Sequence, residues 1–351
     1  MKHLLYLFIA IFLSSLSSCM KYEPIEKEDF DSIPLNEGLF IVNEGNFMYG
    51  NASLSFYVPS QKRVLNEVFI KTNRVNLGDV AQSMKIHNGL GYIVVNNSGV
   101  IFIIDTNTFK RIDYISGLTS PRYIHFVNDE KAYVTDLYLP QVTIIDPKAL
   151  KITGKIDTKG HKSTEQMVQY GKYVFTNCWS YDNKILVIDT EKDEVVDEIE
   201  VGIQPTSLAL DKYNKIWTVT DGGYEGSPYG YEAPALYKID AETRQIEEEF
   251  LFSKGEHPSE VSLNGTRDTL YFLNKAVWRM DVTSKSLPQE PFLPYKGTIY
   301  YGLTIDPKSS EVYVADAIDY VQHGIVYRFS PEAIPVDTFR VGIIPGAFCF
   351  K

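Results

Sequence analysis

A short phrase recurs along the whole chain and constrains its fold more than any other feature. A β-rich run such as AYVTD (132–136) is followed by a polar break and by a second β-rich run that usually ends in Asp. The closing aspartates are Asp105, Asp146, Asp189, Asp240 and Asp281, spaced by 41 to 51 residues, and Tyr57-Val58 and Phe329-Ser330 fall in the same register without the Asp. Repeats of this length that divide into four short β-rich runs are typical of β-propeller blades.

The residue types in these repeats favour strands over helices. The runs are dense in Val, Ile, Tyr, Phe and Thr, and the breaks contain Gly, Asn, Asp, Pro and Lys. With 44% hydrophobic residues in 351, the chain can bury a large core. We therefore expect no helix after the apolar amino-terminal segment.

The strand count at the two ends predicts how the ring closes. Three runs, 38–47, 52–61 and 63–73, precede the second blade, and the run 343–351 has no blade of its own. The carboxyl-terminal strand is therefore expected to be the innermost strand of blade one, which would remove an exposed sheet edge. The predicted fold is all-β: a seven-bladed β-propeller over 38–351, closed by the C-terminal strand. The other blades are expected to start near Val80, Ser120, Ser163, Ile203, His257 and Ile299.

The amino terminus predicts export and anchoring. Residues 1–18 combine a basic start, an apolar run from Leu4 to Leu13 that is too short to span a bilayer, and small residues before Cys19. The stretch LSSC (16–19) resembles the bacterial lipobox, which implies cleavage before Cys19 and its lipidation. Residues 19–37 are predicted to be a flexible acidic tether. Their acidic stretch 20–31 resembles the signal that sends some Bacteroidetes-type lipoproteins to the outer face of the outer membrane, so we expect a surface-exposed, lipid-anchored protein.

Charge and cysteine content exclude some classes of partner. A formal net charge of −11 and a pI near 5.1 argue against nucleic-acid binding. Cys178 and Cys349 fall in distant blades and are expected to be free, buried thiols. No Cys/His grouping has the spacing of zinc ligands, so neither a metal nor a cofactor is expected.

One face of the predicted propeller gathers polar groups. Every second strand ends in an amide or a carboxylate: Asn43, Asn96, Asp136, Asn177, Asp221, Asn274 and Asp316. Loops between second and third strands share a face with the blade-to-blade crossings, so these groups should surround one mouth of the channel. They could contact a ligand, or they could cap their loops by bonding nearby backbone groups. The residue types allow both interpretations.

The same face carries the longer loops and many aromatic residues, a pattern that often marks the binding face of a repeat protein. The crossings contribute further polar groups. The candidate ligand-binding residues are Asn43, Asn96, Arg122, Asp136, Tyr138, Gln166, Asn177, Trp179, Tyr181, Asp221, Tyr224, Tyr301 and Asp316. Amides and aromatic rings around a mouth suit a large, flat, mostly uncharged ligand, such as an amide-bearing macrocycle or a glycan.

Catalysis has weaker support. The chain contains no G-x-S-x-G, H-E-x-x-H or phosphate-binding glycine loop. Glu44, Asn96, Asn177 and Asp221 could imitate the calcium ligands of six-bladed lactonases, although the blade count differs. We expect a protein that is not an enzyme; a calcium-dependent lactonase and a structural or adhesive surface protein are the alternatives.

The strand phrases carry a resemblance to known proteins. YVTD (133–136), and more loosely WTVTD (217–221) and VYVAD (312–316), resemble the YVTN/YncE-like family of exported propellers. With the lipobox and acidic tether, the whole chain also resembles the cobalamin-capturing surface lipoproteins of gut Bacteroidetes (the BtuG-like group). That resemblance implies binding of cobalamin or a related corrinoid and its hand-over to an outer-membrane TonB-dependent transporter.

Overall fold

The computed structural model describes residues 35–351, which form seven antiparallel sheets around a central channel. The predicted signal peptide, the lipidated Cys19 and most of the predicted tether lie outside the described residues. The strands of the first four blades are β1 (Leu39–Asn43), β2 (Ser53–Val58) and β3 (Arg63–Leu65); β4 (Ala81–His87), β5 (Leu90–Val95), β6 (Val100–Asp105) and β7 (Arg111–Ser116); β8 (Pro121–Phe126), β9 (Ala132–Asp136), β10 (Gln141–Asp146) and β11 (Lys151–Asp157); and β12 (Thr164–Tyr170), β13 (Tyr173–Cys178), β14 (Lys184–Asp189) and β15 (Glu194–Glu200).

The remaining three blades and the closing strand follow the same plan. Their strands are β16 (Pro205–Leu210), β17 (Lys215–Thr220), β18 (Ala235–Asp240) and β19 (Ile246–Leu251); β20 (Ser259–Leu263), β21 (Thr269–Asn274) and β22 (Ala276–Asp281); β23 (Tyr300–Ile305), β24 (Val312–Asp316), β25 (His323–Phe329) and β26 (Pro335–Ile343); and β27 (Pro345–Phe350). The predicted blade starts agree with these bounds to within two residues.

The ring closes as predicted. Blade one has the order β27-β1-β2-β3, and Leu39 pairs with Phe350 in antiparallel register. Lys351 extends the closure, since its backbone N–H donates to Gly38 O and its Nζ donates to Thr106 O at 2.9 Å in blade two. The innermost strands β27, β4, β8, β12, β16, β20 and β23 contact one another in sequence around the channel.

The expectation that 63–73 is a strand without helix is wrong. β3 ends at Leu65, and residues 68–73 form a short helix, α1 (Val68–Asn73), in the crossing to blade two. Val68 and Phe69 are buried in the apolar cluster between blades one and two. Asn73 ties the helix to blade two by donating to Phe109 O and accepting from the N–H of Arg111. A helix of six residues is too short to show helical periodicity in sequence.

Blade six is also irregular, because it has three strands instead of four. The segment after β22 pairs with the sheet through a single backbone bridge, between Val277 and Leu293, and its Phe292 packs against Tyr271. Pro288, Pro291 and Pro294 occur there. Proline cannot donate a backbone hydrogen bond, so a regular fourth strand is disfavoured.

The core consists of seven apolar clusters, most of them between neighbouring blades. Alternate residues of the strands enter these clusters, as the period of two in a strand requires. Cys178 is buried and Cys349 half-buried, and both are free thiols as expected. Within residues 35–351 no helix has the length and apolar character that a membrane crossing needs.

Candidate functional site

One face of the propeller, here called the loop face, combines the loops between second and third strands with the blade-to-blade crossings. The longest of these loops are 44–52, 221–234 and 317–322, in blades one, five and seven. Their predicted enlargement is therefore present in the structure. The innermost strands begin on this face, so their first residues surround the mouth of the channel.

Each of the seven innermost strands contains a β-bulge near its first residue. The bulges interrupt the pairing with the second strand between Ala81 and Ser83 in blade two, for example, and at the equivalent place in the other six. The residue that follows the first residue of each strand is thereby left out of the ladder: Gln82, Arg122, Glu165, Thr206, Glu260, Tyr301 and Gly346. Bulges redirect side chains, and here they direct polar side chains at the channel.

Glycine occupies the bulge of blade one because a side chain from the neighbouring strand fills that position. A Cβ atom on Gly346 would lie 2.3 Å from Glu44 Oε1. Glu44 directly follows β1 and extends over the glycine to accept a hydrogen bond from the Tyr301 hydroxyl at 3.0 Å. We call the resulting set the channel ring: Glu44, Gln82, Arg122, Glu165, Thr206, Glu260 and Tyr301.

Hydrogen bonds organise one side of the channel ring. Arg122 Nε donates to both carboxylate oxygens of Glu165 at 2.8 and 2.9 Å, and Arg122 Nη1 donates to the amide oxygen of Gln82. The Arg122 and Glu165 side chains are 14% and 4% exposed. Charge-assisted pairing of this geometry holds both groups in place. Arg122 and Glu165 therefore form a compensated ion pair at the mouth.

The other two carboxyl groups of the channel ring lack a cation of their own. Burial raises the pKa of Glu44 to about 7, with Arg122 and the Tyr301 hydroxyl opposing that rise. Burial, together with the negative charges of Glu44 and Glu165, raises the pKa of Glu260 to about 8. Among the described residues, no hydrogen-bond or ion-pair partner is found for the Glu260 carboxyl group. Near neutral pH the ring therefore retains protons and presents both donors and acceptors at low net charge.

Below the channel ring lies a cavity of about 470 Å³ that contacts all seven innermost strands. Tyr123, Gln166 and Glu260 contribute polar groups to its wall, and Met84, Val168 and Phe348 contribute apolar ones. Gln166 Oε1 accepts the backbone N–H of Leu208 at 3.0 Å, which links blades four and five. This volume can admit part of a ligand, but a large molecule must remain mostly on the loop face.

The amides at the ends of the second strands lie under the loops. Asn96 is 5% exposed and donates to Ser120 Oγ and Pro121 O of the next blade at 2.8 and 3.1 Å. Asn177 donates in the same way to Pro205 O at 2.7 Å. Asn43 is fully buried and donates to Ser53 and Ser55 within its own blade. Asn274 is also buried.

The carboxylates at the equivalent positions accept backbone hydrogen bonds. Asp136 accepts from the N–H groups of Ser120, Tyr138 and Leu139 at 2.8 to 2.9 Å. Asp316 accepts from the N–H groups of Ile299 and Ile318. The geometry of these amides and carboxylates is thus that of the capping interpretation. Their contact with a ligand remains a prediction.

Asp221 differs from the other members of this set because it lies beside aromatic residues. It accepts hydrogen bonds from the Gly223 N–H at 2.8 Å and from Gln204 Nε2 at 3.0 Å. Burial raises the pKa of Asp221, and hydrogen bonds from Gly223, Trp179 and Gln204 oppose the rise. Trp179 is half-buried, so it supports the rim more than it presents a free surface.

Exposed aromatic side chains form two clusters on opposite sides of the mouth. In blades four and five, Tyr181 stacks on Tyr229 with centroids 4.4 Å apart, and Tyr224 interacts with the Tyr181 hydroxyl. In blades seven and one, the exposed side chains are Phe47, Met48, Tyr49, Tyr320 and Val321. Asn46 Nδ2 donates to Tyr320 O at 2.6 Å and connects the loops of this second cluster. Tyr138, 58% exposed, stands alone on the blade-three loop.

The structure thus brings together Arg122, Gln166 and Tyr301 in the channel and Tyr181 and Tyr224 on the rim. Sequence reasoning did not select Glu165, Thr206 or Glu260. Each of these three residues occupies the second position of an innermost strand. An alignment of the first strands of the seven blades would therefore have placed them in one column. Together the rim and the channel ring can hold a molecule through flat apolar contact and neutral hydrogen bonds.

Comparisons with known proteins identify the fold and the family of the chain, and they leave its function to a proposal. The protein named Antigen Lp49 of Leptospira interrogans is 27% identical over 140 residues, covering 36% of this chain and 31% of the relative. The chain therefore spans less than a third of that relative's length.

Two solved structures share the architecture. A quinonprotein alcohol dehydrogenase-like protein of Bacteroides thetaiotaomicron aligns with a TM-score of 0.69 and 16% identity, covering 90% of this chain and 78% of the other. The periplasmic gluconolactonase of Pseudomonas aeruginosa aligns with a TM-score of 0.66 and 12% identity, covering 90% and 99%. At such identities the likeness concerns the fold alone. Residues 37–332 match the profile of a family described as a domain of unknown function, and the chain belongs to this family, DUF5074.

Proposed function

We propose that the loop face binds a large, uncharged small molecule rich in amide groups, with cobalamin or a related corrinoid as the best match. The observation that carries this proposal is the channel ring: seven side chains of low net charge that surround the mouth of the channel between two aromatic clusters. An anionic ligand would be disfavoured, because the ring has three carboxyl groups and its one guanidinium, that of Arg122, is already paired with Glu165. A cationic ligand would have to displace the protons that Glu44 and Glu260 retain.

The chemistry of a corrinoid fits this arrangement. A corrinoid is a flat macrocycle with carboxamide groups along its edge, and each amide both donates and accepts. Protonated Glu260 and the Tyr301 hydroxyl can donate to amide oxygens, and Gln82 can pair with an amide in either direction. The stacked rings of Tyr181 and Tyr229 offer an apolar surface for the macrocycle. The exposed aromatic clusters on the loop face offer contact surface for a ligand larger than the cavity of about 470 Å³.

The proposed role in the cell is capture and transfer without chemical conversion. The lipobox and acidic tether support a lipid-anchored position on the outer membrane, and transfer would then be to a TonB-dependent transporter. This part of the proposal depends on residues 1–37 and on the resemblance to cobalamin-capturing lipoproteins.

The lactonase alternative receives less support from the site. Its calcium ligands would be Glu44, Asn96, Asn177 and Asp221. Asn96 and Asn177 already donate to backbone carbonyls of the next blade, and Glu44 accepts from Tyr301. A calcium ion would bind amide oxygens, which these Asn bonds do not occupy, but it would have to compete with Tyr301 for the Glu44 carboxylate and with Gly223 and Gln204 for the Asp221 carboxylate.

The test is a titration of the full chain in detergent with cyanocobalamin, followed by visible absorption and gel filtration. We expect coloured ligand to co-elute with the protein. Tyr181→Ala should weaken binding about tenfold, on the scale of an aromatic contact residue. Tyr213→Ala provides a matched control, because Tyr213 is 51% exposed, against 49% for Tyr181, and lies in a turn on the opposite face. Failure of the folded wild-type protein to bind any corrinoid would refute the proposed ligand.

A further inference from the structure

Three potential metal ligands converge beside the crossing from blade three to blade four. A ring nitrogen of His161, the Sγ atom of Cys178 and a carboxylate oxygen of Asp182 all lie within 4.8 Å of one another. His161 Nδ1 is 2.7 Å from Asp182 Oδ2. The His161–Asp182 pair accounts for two of these groups, and the thiol of Cys178 is fully buried beside it.

The backbone holds the three residues in place independently of any ion. Cys178 is the last residue of β13 and is packed in the apolar cluster between blades three and four. His161 closes a turn in which its N–H donates to Thr158 O at 3.0 Å. Asp182 is fixed by two bonds: Oδ1 accepts from the N–H of Asn183 at 2.7 Å, and its carbonyl accepts from the N–H of Gln204 at 2.8 Å. Such support is what a metal site needs from its surroundings.

A second carboxylate stands behind the histidine. His161 Nε2 lies 3.6 Å from Glu198 Oε2 on the outer strand β15. In protein metal sites, a histidine that binds through one ring nitrogen usually donates its other N–H to a carboxylate, which fixes the ring. Glu198 lies where such an outer partner is required if Nδ1 binds the ion.

We propose that His161, Cys178 and Asp182 form a binding site for a divalent transition-metal ion of the zinc type, with Glu198 as the outer partner of His161. Thiolate and imidazole ligands select zinc-like ions over calcium or magnesium. Cys178 binds as the thiolate and releases its proton to solvent, so thiolate and Asp182 together balance the two charges of the ion. Three protein ligands leave one coordination position for water or another donor.

The site does not depend on the proposed ligand of the loop face. It would, however, fix the loop 179–183, since Cys178 directly precedes that loop and Asp182 lies within it, next to Tyr181. A metal ion would therefore stiffen one of the two aromatic clusters.

The test is a titration of the full chain with Co²⁺, carried out in a Cys19→Ser background so that Cys178 and Cys349 are the only thiols present. Cobalt bound by a thiolate gives a charge-transfer absorption band in the near ultraviolet, and Zn²⁺ should displace it. We expect one Co²⁺ per chain. Cys178→Ser should abolish the band, and Cys349→Ser should leave it unchanged. Glu198→Gln should keep the band and weaken affinity about 10- to 100-fold.

The melting transition of each variant establishes whether it is folded. Asp182→Asn supplies a second variant if Cys178→Ser does not fold, and it should weaken Co²⁺ affinity at least tenfold. Absence of the band from the folded Cys349→Ser protein would overturn the proposal. Persistence of the band in Cys178→Ser would do the same.

Discussion

Glu260 allows a quantitative test of the channel ring. Its carboxyl group is held at the mouth by the bulge in β20, with a backbone φ of +49°, near the carboxyl groups of Glu44 and Glu165. Burial and these two charges raise its pKa from the ordinary 4.5 to about 8. Between these two values the folded chain binds a proton that the unfolded chain has lost. This contribution to stability is complete below pH 4.5 and disappears as the pH rises through about 8.

The size of the effect follows from the shift. At about 1.4 kcal/mol per pH unit, the full shift corresponds to about 5 kcal/mol as an upper limit. The effective dielectric constant is about 20 even at buried protein sites, so we expect a smaller loss, of about 2–3 kcal/mol, between pH 5 and pH 9. For a chain of this size, 1 kcal/mol changes Tm by about 1.5 °C, so the expected decrease in Tm is about 3–5 °C.

Glu260→Gln should remove this loss. The variant should match wild type in Tm at pH 5 and exceed it by about 3–5 °C at pH 9, as measured by calorimetry or circular dichroism across the pH range. Glu242→Gln is the control, because it removes the same formal charge from an exposed turn. Identical Tm–pH curves for wild type and Glu260→Gln would refute the reasoning.

Three further predictions concern the lipid anchor at Cys19, the closure of the ring by β27 and the capping role of Asn96. Cys19→Ala should move the protein from the membrane pellet to the soluble fraction without changing its melting transition, and a variant that stays in the pellet would contradict the lipobox. Deletion of 343–351 should lower stability by more than about 4 kcal/mol and promote aggregation, since it exposes the inner edge of blade one; light scattering and thermal melts would detect both. Asn96→Ala should cost about 1–2 kcal/mol of stability, through its lost bonds to Ser120 and Pro121, and leave corrinoid affinity unchanged. Weakened binding with an unchanged Tm would instead make Asn96 a ligand contact.

The number of blades and the closure of the ring could be predicted, because strand patterns are local in sequence and the strands at each end of the chain can be counted. The period of two in each strand and the Gly, Asn and Asp turns are visible within a few residues. The missing strand at one end and the surplus strand at the other then determine the seam between β1 and β27. The irregular parts gave weaker signals: α1 has only six residues, and the prolines after β22 remove a strand from a repeat that otherwise looks complete.

The site was harder to predict, because the same residue types serve different roles. Asn96 and Asp136 would be chosen equally as ligand contacts or as caps, and only their burial and partners favour the second role. Glu165 and Glu260 were missed because a bulge depends on the register between two strands, which no single strand reveals. The grouping of His161, Cys178 and Asp182 arises from two loops that meet only in the folded blade.

The seven bulges also separate two demands on the sequence. The backbone of each innermost strand forms the sheet, and the bulged side chains determine what the channel recognises. A bulged residue makes no ladder hydrogen bond, so the sheet places little demand on what its side chain is. Exchanging Thr206 for another polar residue should therefore alter what the channel recognises while the blade remains intact. Gly346 is the exception, because any side chain there would collide with Glu44. A designer would have to exchange Gln82, Arg122 and Glu165 together, because they bond one another, and would have to keep glycine at position 346.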